Sequence, residues 1–159
     1  MILKKWDEEC LREAIRIARS ARAHGNHPFG ALLADHIGNI LLTAENSVVT
    51  GRDCTAHAET NLVQKACKTY DSNFLSSCTL YASTEPCPMC TGAIFWANMR
   101  RMVYGLSEEN LYALTGGDTD EVLYLPCREV LAKGKKDIEV IGPLLEDEAM
   151  EVHIGFWKV

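Results

Sequence analysis

Two short segments in the middle of the chain constrain its fold more strongly than any other feature. The first, residues 55–59, reads Thr-Ala-His-Ala-Glu, and the second, residues 85–90, reads Glu-Pro-Cys-Pro-Met-Cys. Together they supply one imidazole, two thiols and a carboxylate, which are side chains that hold metal ions and transfer protons beside them. Because the ligands of one ion must converge on a point, the fold has to bring these two segments together.

His57, Cys87 and Cys90 are the predicted ligands of one Zn²⁺ ion per chain. Three protein ligands leave a fourth position open for water, which distinguishes a catalytic zinc site from a closed structural one. We interpret Glu59 as the base beside the metal. If Cys54 were instead the fourth ligand of a closed site, Glu59 would have no role, so we place Cys54 in a loop near the site. A redox-active Cys-x-x-Cys pair is a further alternative, but it would not need the upstream His-x-Glu.

The spacing of these residues predicts that both halves of the metal site are helix N-termini. Residues two apart on a helix do not face each other, but a loop-to-helix transition can aim both His57 and Glu59 inward. Cys87 and Cys90, three apart, share one face of a helix. Pro88 is compatible with the first helical turn, where its missing N–H costs nothing. The positive end of a helix also favours thiolate over thiol.

The two segments match the His-x-Glu and Pro-Cys-x-x-Cys signature of zinc-dependent nucleobase deaminases. From about His27 to Leu106 the chain resembles the cytidine and deoxycytidylate deaminase superfamily, and within it is most similar to the guanine deaminase type. The resemblance implies hydrolytic deamination of a free nucleobase or nucleoside, with guanine, which gives xanthine and ammonia, as the favoured substrate. Zinc lowers the pKa of a bound water from about 15.7 to roughly 7, and Glu59 transfers the protons. The resemblance also implies a homodimer.

Three residues match positions that hold the base in the guanine deaminase type: Phe29 and Trp96 as aromatic contacts and Asn46 as a hydrogen-bonding amide. The alternatives are that both aromatic residues belong to the core and that Asn46 caps a turn. Asp118 matches the position of an extra proton-shuttling carboxylate in the guanine deaminase type, although a simple turn aspartate is about as consistent with the flanking residues. The backbone N–H of Ala58, at a helix start, is a further candidate donor to the base or the hydroxide.

Two related activities and one non-enzymatic function compete with this interpretation. A tRNA adenosine deaminase shares the zinc motifs, but it should have a basic terminal helix. This chain has a net charge of −6 and acidic residues at 146, 147, 148 and 151, which would repel phosphate, so nucleic acid is not an expected partner. A cytosine or cytidine deaminase would not require Trp96. A non-catalytic zinc module predicts that Glu59→Ala leaves function intact.

Helical and strand patterns alternate along the chain and predict a single α/β domain over residues 1–159. We expect a three-layer α/β/α sandwich with a central mixed five-stranded sheet, with the metal segments at the C-terminal ends of strands. The predicted helices span residues 6–24, 57–70, 87–99, 107–114, 127–133 and about 144–158, and the predicted strands span 29–34, 39–43, 78–83, 101–106 and 137–141. Phe156 and Trp157 resemble an aromatic tail that closes such sites, the alternative being simple helix packing.

The expected compartment is the cytoplasm. The chain shows no secretion signal and no apolar stretch of membrane-spanning length. Its seven cysteines are odd in number and lack the spacing of a disulfide framework, which is typical of proteins in a reducing environment.

Overall fold

A mixed five-stranded sheet forms the centre of the protein in this computed structural model, which describes residues 2–117 and 119–157. Within these residues the spatial order is β2-β1-β3-β4-β5. Strand β1 pairs antiparallel with β2 and β3, whereas β3, β4 and β5 run parallel. The strands are β1 (Gly30–Ala34), β2 (Ile40–Glu45), β3 (Thr79–Thr84), β4 (Arg101–Leu106) and β5 (Glu139–Ile141).

Helices cover both faces of this sheet, which confirms the predicted three-layer α/β/α sandwich. Helices α1 and α8 pack on one face, and α3, α5 and α7 pack on the other. The helices are α1 (Asp7–Ala23), α2 (Val48–Gly51), α3 (Ala58–Thr69), α4 (Ser72–Leu75), α5 (Pro88–Trp96), α6 (Glu108–Thr115), α7 (Cys127–Leu131) and α8 (Glu146–Glu151). All five predicted strands are present, with bounds shifted by at most a few residues.

The three central strands are buried on both faces, as expected of a sheet covered by helices. Successive side chains alternate between two apolar clusters because the residues of a strand point to opposite faces in turn. Leu32, Tyr81 and Val103 pack toward α1, whereas the alternate residues Leu33, Leu80 and Met102 pack toward α3 and α5.

A buried ion pair fastens α1 to the sheet. The two terminal guanidinium nitrogens of Arg101, on β4, donate to the carboxylate of Asp7 at 2.8 and 2.7 Å, and the Tyr81 hydroxyl donates to it at 2.6 Å. Although burial alone would raise the pKa of Asp7, these hydrogen bonds lower it below its usual value. Asp7 could serve as the N-cap of a helix by residue type, but Trp6 is the N-cap of α1 and the Asp7 side chain instead binds Arg101 on the sheet.

Gly30 allows α1 to approach β1 closely. A Cβ atom at this position would collide with backbone atoms of Ala14 and Ala18 in α1. Only glycine fits such a contact, and the contact fixes the preceding residue, Phe29, at the entrance to the strand.

The C-terminal segment differs most from expectation. The predicted helix over about 144–158 is only Glu146–Glu151, and the chain continues through turns to residue 156. Left-handed backbone at Leu145 (φ 53°) and Gly155 (φ 73°) interrupts helical geometry on both sides. Among the described residues, no helix is long and apolar enough to cross a membrane.

Candidate active site

Three metal-ligand side chains meet where α3 and α5 begin. The Nδ1 atom of His57 lies 3.5 Å from the Cys87 sulfur and 3.6 Å from the Cys90 sulfur, and all three donor atoms lie within 4.8 Å of one another. Among the residues that the structure describes, these three form the one group of His, Cys, Asp or Glu side chains whose ligand atoms lie close enough together to hold a metal ion. The structure therefore brings together the three residues that the sequence predicts as ligands.

The geometry of this cluster fits zinc. Typical Zn–S and Zn–N bond lengths of about 2.3 and 2.0 Å in a tetrahedral site place sulfur and nitrogen ligands about 3.5 Å apart, which is the spacing observed between His57 and each sulfur. The donor set of one imidazole and two thiols also suits zinc. Cys54 is exposed and stands outside the cluster, so it does not complete a closed four-ligand site.

Both halves of the cluster are helix N-termini, as the sequence predicts. His57 is the N-cap of α3 and Cys87 is the N-cap of α5, each with extended backbone, and Pro88 is the first residue of α5. A hydrogen bond from Cys90 and the neighbouring His57 lower the pKa of Cys87, whereas the same Cys90–Cys87 contact and burial raise the pKa of Cys90. At least one sulfur is thus held as a thiolate, the form that binds metal.

Glu59 lies in the first turn of α3 and faces the same cavity as the cluster. Its side chain is only 4% exposed. Burial raises the pKa of Glu59 to about 7, assisted by the nearby negative charge of Cys87. A carboxyl group with a pKa near neutrality can both accept and donate a proton, which is the property a general acid–base residue requires.

A cavity of about 500 Å³ opens beside the cluster. Phe29, immediately before β1, and Asn46, immediately after β2, both line the cavity, as the sequence predicts for substrate-binding residues. Asn46 is buried, and its side-chain oxygen accepts a hydrogen bond from the Val48 N–H at 3.1 Å. This hydrogen bond agrees with the turn-capping alternative for Asn46. Its place in the cavity wall is compatible with the substrate-binding role, which stays a prediction.

The cavity wall formed by α6 was not anticipated. Glu108, Leu111, Tyr112 and Thr115 all line the cavity. Their spacing of three, four and seven residues places them on one face of the helix. The same spacing is readable in the sequence, and the helix itself was predicted, but nothing in the sequence showed which way the face points.

The C-terminal tail forms another part of the cavity wall, where Trp157 packs beside His27. The two rings lie with centroids 5.6 Å apart, and the indole N–H of Trp157 donates to Nδ1 of buried His153 at 3.0 Å. His153 in turn packs edge-on against Phe29, with ring centroids 5.3 Å apart. The tail thus packs against the domain and also reaches the cavity in the same chain.

Trp96 does not line this cavity, and the prediction that it stacks on the base within its own chain is corrected. Its side chain is 79% exposed at the C-terminal end of α5. Six residues along a helix amount to about 9 Å of rise and about 240° of rotation, so the helix that aims Cys90 at the metal turns Trp96 away. Ala58 begins α3 between two cavity-lining residues, and its side chain is buried. Asp118 lies outside the described residues.

The model of the family described as "Cytidine and deoxycytidylate deaminase zinc-binding region" matches residues 4–106. This stretch contains both halves of the metal cluster together with Phe29, Asn46 and Glu59. The match ends with β4, so α6 and the C-terminal tail lie outside it.

Three curated proteins show how the chain relates to enzymes of different specificity. A probable cytosine deaminase of Schizosaccharomyces pombe is 47% identical over 156 residues, which cover 98% of this chain and 94% of that protein. A guanine deaminase of Bacillus subtilis is 39% identical over 118 residues, 74% of each chain. A tRNA-specific adenosine deaminase of Bacillus subtilis is 33% identical over 152 residues, covering 96% and 89% of the two chains.

A solved structure of guanine deaminase from Nitrosomonas europaea has the same fold. It superposes with a TM-score of 0.76 at 26% sequence identity, and the matched region covers 96% of this chain and 84% of the other.

Proposed function

This chain belongs to the cytidine and deoxycytidylate deaminase family, and on that premise we propose that it removes the exocyclic amine of a free nucleobase by zinc-dependent hydrolysis. One observation carries the proposal: three zinc-type ligands and a buried carboxyl group, Glu59, converge on one cavity. A ligand cluster without such a carboxyl group would fit a structural metal site equally well. The presence of Glu59 favours a reaction that moves protons.

His57, Cys87 and Cys90 would hold the zinc ion. When bound there, zinc supplies a Lewis acid that makes water a competent nucleophile at neutral pH. The Glu59 carboxyl group takes a proton from the attacking water and delivers it to the adjacent ring nitrogen. The same group then carries the second proton to the departing amine, so that water is consumed, ammonia leaves, and the ring carbon becomes a carbonyl. This assignment uses one carboxyl group for both transfers.

The base is oriented by groups around the cavity. The amide nitrogen of Asn46 points to a carbonyl acceptor on the base, because its oxygen is already used by the Val48 N–H. The Phe29 ring offers an apolar edge that its contact with His153 holds in place. The N–H of Ala58, at the start of α3, is proposed to hold the polar edge of the base.

Guanine is the first candidate substrate. The shared fold of the guanine deaminase from Nitrosomonas europaea supports it, and a cavity of about 500 Å³ has room for a two-ring base. Cytosine is the second candidate, supported by 47% identity to the probable cytosine deaminase over nearly the whole chain. The position of Trp96 outside the cavity also removes one reason for preferring a purine.

A folded RNA substrate is less compatible with the structure, although the chain also resembles a tRNA-specific adenosine deaminase. The described residues that line the cavity include four glutamates and neither lysine nor arginine. Helix α8, close to the tail that borders the cavity, adds the carboxylates of Glu146 and Asp147, whereas its Glu148 and Glu151 pair with Arg12 and Arg19 of α1. Such surfaces repel phosphate.

A homodimer in the cytoplasm completes the proposal. Trp96 and Met89 expose apolar surface on α5, which is the kind of surface that a second subunit covers. None of the seven cysteines forms a disulfide bond, which is compatible with a reducing compartment.

The deciding experiment is ammonia release by the zinc-loaded protein with guanine, guanosine, adenine, cytosine, cytidine and a tRNA anticodon stem-loop. We expect turnover of one free base, guanine before cytosine, and little turnover of the stem-loop. Turnover of cytosine alone would select the second candidate. Turnover of the stem-loop alone would overturn the free-base proposal, and no turnover by a protein that binds zinc would overturn the enzymatic one.

A further inference from the structure

Glu108 carries a buried carboxyl group for which the described residues provide no hydrogen-bond partner. The residue is 2% exposed, and both carboxyl oxygens lack a partner. The N–H of Leu125 approaches this group without reaching hydrogen-bonding geometry. Leaving a buried polar group unpaired costs on the order of 1–3 kcal/mol, so such a group in a folded protein calls for an explanation.

The position of Glu108 connects it to the active site. It is the first residue of α6, two residues after β4 ends, and it lines the cavity. Leu106 pairs with Thr84 on β3, and its carbonyl accepts a hydrogen bond of 2.7 Å from the Glu85 N–H. Because β3 and β4 are parallel neighbours, the segments that follow them emerge side by side, which places Glu108 near the metal ligand Cys87.

A purely structural role does not account for this carboxyl group. An acidic residue in the first turn of a helix is favoured by the helix dipole, but the adjacent Glu109 supplies that charge while remaining exposed. Burial and the charges of Glu85 and Cys87 raise the pKa of Glu108 to about 8. A ligand that donates a hydrogen bond to this buried carboxyl group would therefore lower its free energy.

We propose that Glu108 is a specificity-determining residue that accepts a hydrogen bond from a ring N–H of the substrate base and thereby restricts the site to free bases. The inference rests on the proposed function. Glu59 lines the cavity from α3 and Glu108 lines it from α6. Both Glu108 oxygens are buried, so the proposal requires the Glu108 side chain to rotate toward the cavity, where it meets an edge of the base other than the one that faces Glu59. That edge carries an imidazole N–H in a free purine and the N1–H in a free pyrimidine.

A nucleoside has ribose in place of that N–H. It would leave Glu108 unpaired in the complex, and a site built around a hydrogen bond discriminates strongly against ligands that lack it. A carboxyl group also accepts from an N–H in either of its protonation states, so the role does not depend on ionisation of Glu108.

The test combines a substitution with methylated bases. Steady-state kcat/KM for ammonia release is measured with guanine against 7- and 9-methylguanine, and with cytosine against 1-methylcytosine. The proteins are the zinc-loaded wild type, Glu108→Met, Glu108→Gln and the matched control Glu109→Met. Glu108→Met removes both oxygens at similar length, and since these oxygens have no partner in the free protein, melting temperature should not fall. Glu108→Gln keeps one acceptor oxygen.

We expect the wild type to lose roughly 10- to 100-fold in kcat/KM when the ring N–H is methylated. The kcat/KM of Glu108→Met for the unmethylated base should be lower than that of the wild type by a similar factor. This variant should have nearly the same kcat/KM for the methylated and the unmethylated base. Glu108→Gln should retain most of the wild-type preference, and Glu109→Met should behave as wild type. If Glu108→Met keeps both the activity and the discrimination, the cavity rejects methyl groups by size alone and the proposal is wrong.

A wild type that deaminates none of these bases would contradict the proposed function rather than this inference. Calorimetric affinities of guanine, 9-methylguanine, cytosine and 1-methylcytosine for the same four proteins then decide the role of Glu108. The proposed role of Glu108 is supported if an unmethylated base binds the wild type more tightly than Glu108→Met while its methylated form binds the two proteins equally. If the unmethylated base also binds the two proteins equally, the proposed role is wrong.

Discussion

Glu59 shows how position changes the pKa of an ordinary carboxyl group. It lies two residues after the proposed metal ligand His57, at a helix start where backbone geometry lets both side chains face inward. Burial raises its pKa to about 7, whereas an exposed glutamate would remain ionised at neutral pH. The chemistry proposed for the protein therefore depends on this one residue more than on any other outside the ligand cluster.

Replacement of Glu59 by glutamine should abolish activity without releasing zinc. Glutamine has the same shape but transfers no proton, so we expect ammonia release to fall by at least about 100-fold. Zinc content, measured by inductively coupled plasma mass spectrometry, should stay at one ion per chain, since His57, Cys87 and Cys90 are intact. Activity near the wild-type level would contradict the assigned role, and loss of zinc would instead make Glu59 a ligand.

The two tryptophans that the sequence assigns to the site take different positions relative to the cavity. Trp96, six residues beyond Cys90, is exposed on the far side of α5, whereas Trp157 in the tail lines the cavity. The position of Trp96 follows from the rotation of a helix over six residues and is therefore predictable from the sequence. The position of Trp157 depends on where the tail packs, which no local pattern specifies.

At the level of elements, a buried histidine is one of the residues that hold the C-terminal tail against the domain. His153 accepts a hydrogen bond from the Trp157 indole, and its other ring nitrogen lies 3.4 Å from the Thr84 hydroxyl on β3. Burial, together with the positive charge of Arg22, lowers the pKa of His153 to about 4. The neutral ring is therefore part of the packing that joins α8 and the tail to the sheet.

The free energy of unfolding should therefore fall as the pH is lowered, because His153 takes up a proton more readily in the unfolded chain than in the folded one. The unfolded chain binds a proton near pH 6.5 and the folded chain only near pH 4, so this contribution is present above about pH 6.5 and disappears as the pH falls to about 4. The shift corresponds to about 3 kcal/mol. Urea unfolding of wild type and His153→Gln at pH steps from 7.5 to 4 should show the steeper decline in wild type. Parallel curves for the two proteins would contradict the assignment.

At the scale of the whole molecule, the topology of the sheet places the functional groups together. The ends of β1, β2, β3 and β4 contribute side chains to one cavity, and helices on both faces wall it in. Four glutamates and neither lysine nor arginine are among the described residues that line it, so we expect the cavity to favour ligands that donate hydrogen bonds and carry no phosphate. This preference is a property of the assembled cavity, since the glutamates come from separate elements.

The proposed homodimer is also a property of the whole molecule. Multi-angle light scattering of the wild type should give twice the chain mass of 17.7 kDa. Trp96→Lys should shift the protein toward the monomer, because it places a charge on exposed apolar surface of α5. Ile37→Lys, which replaces another exposed apolar side chain (58% exposed) in the turn between β1 and β2, is the matched control and should leave the dimer intact. A monomeric wild type, or dissociation by both substitutions, would contradict an interface at α5.

Most of the fold was predictable because its signals are local. The five strands and the long helices follow from apolar periodicity, and β4 has the predicted bounds. The terminal helix was predicted too long, since the apolar spacing of Phe156 continues beyond the point where Gly155 turns the backbone left-handed. Periodicity records which residues are buried and does not record the backbone conformation that buries them.

The sequence by itself predicted which three side chains converge as candidate metal ligands, which carboxyl group lies beside them and the deaminase family, because residue type and close spacing at a helix start constrain both chemistry and geometry. Only the tertiary structure decided what surrounds that centre. It brought α6 and the tail to the cavity, turned Trp96 away, and left Glu108 buried without a partner. These outcomes depend on how helices distant in sequence pack on the sheet, and side-chain contacts of that kind are not encoded in any single segment.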